Sequence, residues 1–259
     1  MSKISVIVPT YRSKDSLDLC LRSLIEGCSN ISNIEIITVI DGTYDYNKET
    51  LDKYGNSVYK LILPENRGLC AATNLGVYNA SNENIFIIND DNVAPKGWDK
   101  LLNQCSTSNT VWSPNQVEPI PSIFSQFVID NLGRNPKTFD LEYFWEYADG
   151  IKDTRWDMCG STLPIFMSKI DFLRIGGWDE NYTDGLVADW DFFLKCQLSG
   201  LQMLRTYNCH FYHFVSLSTN ITPEQQLKRQ KAEQDGHAYA KYKWGKPIQH
   251  NPYNNLKYL

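Results

Sequence analysis

The chain has 259 residues, with 30 acidic and 25 basic side chains, a formal charge of −5, 42% apolar residues and 21% charged residues. These values exclude a disordered, collagen-like or coiled-coil chain, and the mildly acidic total argues against non-specific nucleic-acid binding, which needs clustered Lys and Arg. The length fits one large α/β domain or two small ones, enough to bury about 70–75% of the unfolded surface without covalent staples. Seven cysteines are scattered without a C-x-x-C pair, which reads as reduced thiols in a cytosolic protein. The N-terminus runs straight into a strand pattern and no apolar run approaches 18 residues. The expectation is therefore a soluble cytoplasmic protein without signal peptide or spanning helix, with peripheral membrane association left open.

In chain order, Ile4 to Val8 is a β-branched run ended by Pro9, the pattern of a buried parallel strand. Leu17, Cys20, Leu21, Leu24 and Ile25 then mark an amphipathic helix over residues 13–27, with Ser13 at its start and Gly27 at its stop. Ile34 to Ile40 and Val58 to Leu63 are the next strands. Residues 69–80 read as helix and Asn84 to Ile88 as a fourth strand. This alternation predicts βαβ units and an open parallel sheet, whose ligands bind beyond the carboxyl ends of the strands. Residues 113–158 show no clear period but carry Phe124, Phe127, Phe139, Tyr143, Phe144, Trp145, Tyr147 and Trp156. Residues 163–167 read as strand, 168–175 as a short helix ending at Gly176-Gly177, Asp189 to Leu198 as helix and Met203 to Thr206 as extended. A polar helix is expected over Pro223 to Trp244, with Thr222 as its cap. One domain is expected, with halves at 1–106 and 107–216 and a helical tail at 217–259.

The polar residues that follow the strands are the candidates for chemistry. Asn89-Asp90-Asp91-Asn92 places two adjacent carboxylates at a strand end, suited to Mg²⁺ or Mn²⁺ or else to an Asx-rich turn. Strand one ends in Pro9-Thr10-Tyr11 and strand two in Asp41-Gly42-Thr43; an Asp there can accept from a base N–H and a Tyr can stack on the ring. In Asn66-Arg67-Gly68 and Ala71 to Gly76, small residues permit close approach and Arg67 can meet a phosphate. Asp189 and Asp191 stand about 200° apart on one helix, so they cannot do the same job. Asp189 borders the apolar side, taken as Trp190, Phe193, Leu194 and Leu198, where a raised pKa suits a general base. His210 and His213 face opposite ways on a strand, so at most one reaches a shared site.

In series, these segments resemble the family 2 glycosyltransferases of the GT-A fold. Val6-Ile7-Val8-Pro9-Thr10-Tyr11 is similar to the family's opening strand, and Asp41-Gly42 to the second half of its Asp-Asp-Gly-Ser nucleoside motif. Asn66-Arg67-Gly68 through Asn74-Leu75-Gly76 resembles its N-x-G…N-x-G helix, and Asn89-Asp90-Asp91 its D-x-D metal motif. Gly176-Gly177-Trp178-Asp179-Glu180 with Asp189-Trp190-Asp191 resembles its G-G-F-D-E…E-D-x-D acceptor segment. Ile40, Asn89 and Ala188 each replace an acid of the family pattern. The tail beyond about residue 216 matches none of it.

The resemblance implies a Rossmann-like, mostly parallel central sheet flanked by helices, followed by an irregular, aromatic-rich acceptor half and a helical tail. It implies inverting, metal-assisted transfer from a nucleotide-sugar, with a UDP-sugar favoured, to a saccharide or glycoconjugate hydroxyl. Pro9, Thr10, Tyr11, Asp41, Asn66, Arg67, Asn74 and Asp90 would hold the nucleotide. Asp91, Asn89 and His213 would hold Mn²⁺ or Mg²⁺, Asp189 would be the base, and Trp178, Asp179, Glu180 and Asp191 would meet the acceptor. A sugar-nucleotide pyrophosphorylase would need a Gly-rich phosphate loop after strand one, and a nicotinamide dehydrogenase a G-x-G-x-x-G; neither is present. A non-catalytic, sugar-binding descendant of the fold is the remaining alternative, against which Asp189 argues.

Overall fold

Period-two burial sets the sheet. In the computed structural model, which describes residues 2–121, 125–158, 162–182, 185–215 and 223–249, strand β1 is Ile4–Thr10. Its Val6 and Val8 face one side and Ile7 the other, and all three are fully buried, as expected of a central strand covered on both faces. Parallel partners flank it: β2 (Ile34–Asp41) on one side, followed by β3 (Tyr59–Leu63), and β4 (Asn84–Ile87) on the other. Helix α1 (Lys14–Glu26) links β1 to β2, and helix α3 (Gly68–Asn79) links β3 to β4. Between β2 and β3 lies a helix the periodicity leaves unassigned, α2 (Tyr44–Asp52), whose buried side chains are only Asn47, Thr50 and Leu51.

The sheet continues through the irregular half. Its order is β3-β2-β1-β4-β9-β6-β10-β5, where β5 is Asn92–Val93, β6 Thr110–Glu118, β9 Ile165–Ser168 and β10 Gln202–His213. The short β7 (Val128–Ile129) and β8 (Trp156–Asp157) attach to β6 and β10. Strand β9 runs antiparallel to both its neighbours, while β10 runs parallel to β6. The result is the expected mixed α/β architecture with a mostly parallel sheet.

Helices cover both faces. On one, Leu17, Leu21 and Leu24 of α1 and Trp98 of α4 (Trp98–Leu102) pack on Val6, Val8 and Phe86. On the other, α3 packs on Ile7 and Val39 beside α6 (Lys169–Arg174), α7 (Ala188–Leu198) and α8 (Pro223–Trp244). Much of the aromatic run is core: Phe139, Phe144 and Trp145 form a third cluster with Tyr212 and Phe214, organised by helix α5 (Leu141–Gly150). Tyr143 and Trp156 are exposed, and Phe124 and Thr222 lie outside the described residues. Helix α7 is buried on more sides than a single stripe predicts: Phe192, Phe193, Leu194 and Cys196 are all buried, whereas Leu198 is 46% exposed. Among the described residues, no helix is long and apolar enough to cross a membrane.

Helix α3 lies unusually close to the sheet. A Cβ on Gly76 would stand 2.5 Å from Ile7 Cγ2 and 3.0 Å from Val39 Cγ2. Gly76→Ala gains about 1 kcal/mol of helix propensity but overpacks the core, which typically costs about 1–3 kcal/mol. The expected outcome is a lower urea midpoint; an unchanged or higher one would show that α3 is free to move off the sheet.

Candidate active site

The chain turns from one side of β1 to the other between β3 and β4, so the carboxyl ends of β1 and β4 flank a switch point. A cleft of about 380 Å³ opens there and is lined by Pro9, Thr10, Tyr11, Asp41, Asn89, Asp90 and Asp91. Thr10 Oγ1 donates to Asp90 Oδ2 across the switch point at 2.6 Å. Asp41, at the end of β2, accepts from the Arg67 N–H (2.7 Å) and the Gly68 N–H (2.9 Å), so it also caps α3. Gly42 makes this possible: a Cβ there would stand 2.4 Å from the Asn66 nitrogen.

Three residues expected at the nucleotide take structural positions instead. Asn66 accepts from Gly68 within its own turn, and the exposed Arg67 side chain pairs with Glu180 at 3.1 Å. Asn74 is buried and ties α3 to the Gly176–Glu180 loop, donating to the Trp178 carbonyl and to Glu180 and accepting from the Trp178 N–H.

The metal-type residues meet through a strand pairing. The end of β10 lies antiparallel to β5, with His213 opposite Asn92. That brings His213 Nε2 to 3.5 Å from Asp91 Oδ2, while His213 Nδ1 lies 2.8 Å from Glu118 Oε1 at the end of β6. Burial alone would lower the His213 pKa, but Asp91 and Glu118 carry it up to about 10. Burial opposes ionisation of Asp91 too, and His213 and Asn92 more than offset it, so its pKa is lowered. Asp90 is the converse: burial and the neighbouring Asp91 push it up to about 7. Among the described residues, no three His, Cys, Asp or Glu side chains converge as a complete protein cage. A carboxylate and an imidazole facing each other, with the other ring nitrogen held by a second carboxylate, nevertheless fit a divalent ion that takes its remaining ligands from a diphosphate. His210 is elsewhere: buried, opposite Asn115 beyond a bulge in β10, and lowered to about 4 by burial.

A second cleft, of about 330 Å³, shares Leu69 and Asn89 with the first and also holds His213, Glu118, Phe127, Trp178, Asp189 and Trp190. Asp189 stands in the first turn of α7. The residue just before that helix, Val187, has φ +68°, a strained setting for a β-branched side chain and one that clusters at functional sites. Burial pushes the Asp189 carboxyl up to about 6, against the pull of nearby backbone N–H groups.

Asp191 has the opposite fate. It is fully buried, 2.7 Å from Lys243 Nζ, and accepts from Trp244 Nε1 at 2.8 Å and from the Tyr182 hydroxyl at 3.3 Å. Asp179 also pairs with Lys243, at 2.7 Å, and accepts from the Tyr239 hydroxyl. Burial notwithstanding, Lys243 and Asn181 hold its pKa at about 2. Of the four residues expected at an acceptor, Asp179, Glu180 and Asp191 are thus turned toward the framework, and Trp178 borders the cleft while stacking on Phe192 at 5.0 Å. Glu118 is the residue that sequence reasoning misses, together with Arg229 and Glu233 of α8, which line the second cleft.

The fold and its paired clefts define a GT-A-type α/β protein. The family model for Glycosyl transferase family 2 matches residues 5–118, and that segment is one of the family. It is 30% identical over 82% of its length to a cholesterol galactosyltransferase of Borreliella burgdorferi, of which it covers 53%. A glycosyltransferase GlyA of Streptococcus pneumoniae is 35% identical over 34% of the chain and 13% of the relative. The chain therefore spans about half the length of the first relative and less of the second. Among solved structures, GalNAc-T7 with UDP, GalNAc and Mn²⁺ aligns at a TM-score of 0.63 and 14% identity, over 82% of this chain and 44% of that one. S. aureus TarS in complex with UDP-GlcNAc aligns at 0.57 and 16%, over 83% and 61%.

Lys243 is the shared counter-ion of Asp179 and Asp191. Lys243→Met should cost about 3 kcal/mol, the scale of breaking a buried ion pair on one side, measured by denaturant unfolding. Stability equal to the parent would show that Trp244, Tyr182 and Lys195, whose Nζ lies 3.9 Å from Asp191, satisfy Asp191 without Lys243.

Proposed function

We propose that the protein transfers a sugar, with inversion, from a nucleotide-sugar to a hydroxyl of a saccharide or glycoconjugate acceptor. The observation that supports this most is the placement of Asp189 in a cleft that borders the one holding Asp41, Asp90 and Asp91 and shares Leu69 and Asn89 with it. A base and a nucleotide-type site then address one space. Each Asp41 oxygen already accepts one N–H and keeps a lone pair for a base N–H. Tyr11, 44% exposed in the same cleft, offers a face for the ring to stack on. Asp91 and His213, with Asn89 beside them, would hold Mn²⁺ or Mg²⁺, which supplies positive charge to the leaving diphosphate.

Asp189 takes the proton from the acceptor hydroxyl as its oxygen bonds to the anomeric carbon. The bond from that carbon to the diphosphate oxygen breaks, and its electron pair leaves with the nucleoside diphosphate. Attack from the face opposite the leaving group inverts the centre in one displacement. The UDP bound to the solved neighbours and the galactosyltransferase name of the first relative favour a UDP-hexose donor. The unpaired thiols of Cys20, Cys28, Cys70, Cys105, Cys196 and Cys209 suit a reducing, cytoplasmic setting.

Asp189 must be deprotonated to act, so with a pKa near 6 the rate should rise about tenfold per pH unit below 6 and level off above it. Asp189→Asn should lower transfer by about 10²–10⁴-fold and leave UDP affinity within about twofold. Transfer by Asp189→Asn at the parent rate would move the base elsewhere. A parent protein that binds UDP-sugars but neither transfers nor hydrolyses them would favour a binding-only descendant of the fold.

A further inference from the structure

Helix α8 takes no part in the chemistry above, yet it is fastened onto the segment that carries Asp189. At its C-terminal end, Lys243 and Trp244 hold Asp191, and Lys243 and Tyr239 hold Asp179. Ala240 is fully buried. Further back, a Cβ on Gly236 would stand 2.7 Å from the Leu186 carbonyl oxygen and 3.2 Å from Val187 Cγ2, so the helix lies against the strained approach to α7. His237 meets Trp190 edge-on at 5.0 Å. Positions 229, 233, 236, 240 and 243 recur at intervals of three and four, which places them on one helix face. The face buried at Ala240 and Gly236 therefore continues as Glu233 and Arg229. Both line the cleft that holds Asp189, and neither lines the one that holds Asp41 and Asp91. At 1.5 Å per residue, Arg229 stands about 10 Å beyond the Gly236 contact.

We propose that α8 is the acceptor-side wall of the active site, and that Arg229 and Glu233 select an acceptor with several hydroxyl groups, a saccharide or polyol. The proposal rests on Asp189 as the base. An Arg offers only donors and a Glu carboxylate only acceptors. One turn apart, they match neighbouring hydroxyls, each of which can donate and accept. An alcohol with a single hydroxyl, already committed to Asp189, gives neither group a partner. The clamp at Gly236, Tyr239 and Lys243 holds the wall in place before any acceptor arrives, so its selectivity is preformed.

The test titrates p-nitrophenyl β-glucoside and β-galactoside, with octanol as the single-hydroxyl control, into the full chain loaded with UDP and Mn²⁺. Intrinsic tryptophan fluorescence follows binding, and calorimetry gives UDP affinity separately. Arg229 and Glu233 are both exposed, so truncation removes little packing, and a melting curve checks each variant. The expected result is saturable glycoside binding to the parent, weakened about tenfold in Arg229→Ala and in Glu233→Ala, the scale of one polar contact. Glu233→Gln should recover part of the loss, and UDP affinity should stay within about twofold throughout. Unchanged glycoside affinity in both alanine variants would overturn the proposal. So would a fall in UDP affinity in place of the glycoside effect, which would put α8 on the donor side. A parent that binds UDP but no glycoside, with or without octanol binding, overturns it as well. A parent that does not bind UDP at all contradicts the nucleotide-sugar reading itself and removes the basis for this one.

Discussion

Two residues of antiparallel pairing hold the site together. Val93 and Asn92 lie opposite Tyr212 and His213, at the point where the nucleotide-type half of the sheet meets the strand that returns from the acceptor half. Without that pairing, Asp91 would be a carboxylate at the end of a turn, and His213 the last residue of a distant strand. With it, they face each other at 3.5 Å, and Glu118 fixes the far side of the imidazole. Between the two carboxylates the ring holds both protons, its pKa carried up to about 10; a cation bound at Asp91 would displace the Nε2 proton, while Glu118 keeps the one on Nδ1. The bulge in β10 between Thr206 and His210 resets the strand so that His213, rather than His210, arrives at this point.

Two carboxylates on one turn of α7 are separated in role by what surrounds them. Asp191 is enclosed by two ammonium groups, an indole N–H and a phenol, and serves to anchor α8. Asp189 is half-buried, and burial raises its pKa to about 6. The same low-polarity surroundings that make an unpaired charge costly are what equip Asp189 to accept a proton near neutral pH. On the role proposed for Asp189, anchoring and chemistry are coupled: Lys243 and Trp244 fix the helix whose first turn faces the cleft.

The first half of the fold was legible because its strands are continuous β-branched runs and α1 carries a clear 3–4 spacing. The positions of Asp41, Asp90 and Asp91 follow from that regularity alone, since strand ends of a parallel sheet share one edge. The second half was not, because β6 contradicts its own burial: Ser113, Asn115, Gln116 and Glu118 are buried polar residues in a strand with no apolar alternation. Glu118 acquires meaning only through His213, 95 positions away in sequence. Helix α7 misled for a related reason. It is enclosed by the sheet on one side and α8 on the other, so no single apolar stripe marks its inward face, and Leu198, which extends the stripe on paper, ends in solvent. Asn74 and Arg67 looked like ligand-facing polar groups; the long-range bonds that bind them to Trp178 and Glu180 leave no trace in local sequence.

The central claim is that a nucleoside diphosphate binds at the β1–β4 switch point through a cation held by Asp91 and His213. Calorimetric titration of UDP into the full chain, with Mn²⁺ and with excess chelator, for the parent and Asp91→Ala, tests it most directly. The structure predicts Mn²⁺-dependent binding by the parent, at least about tenfold weaker in chelator, and no Mn²⁺ enhancement in the variant. UDP binding of equal strength in all four titrations would contradict it.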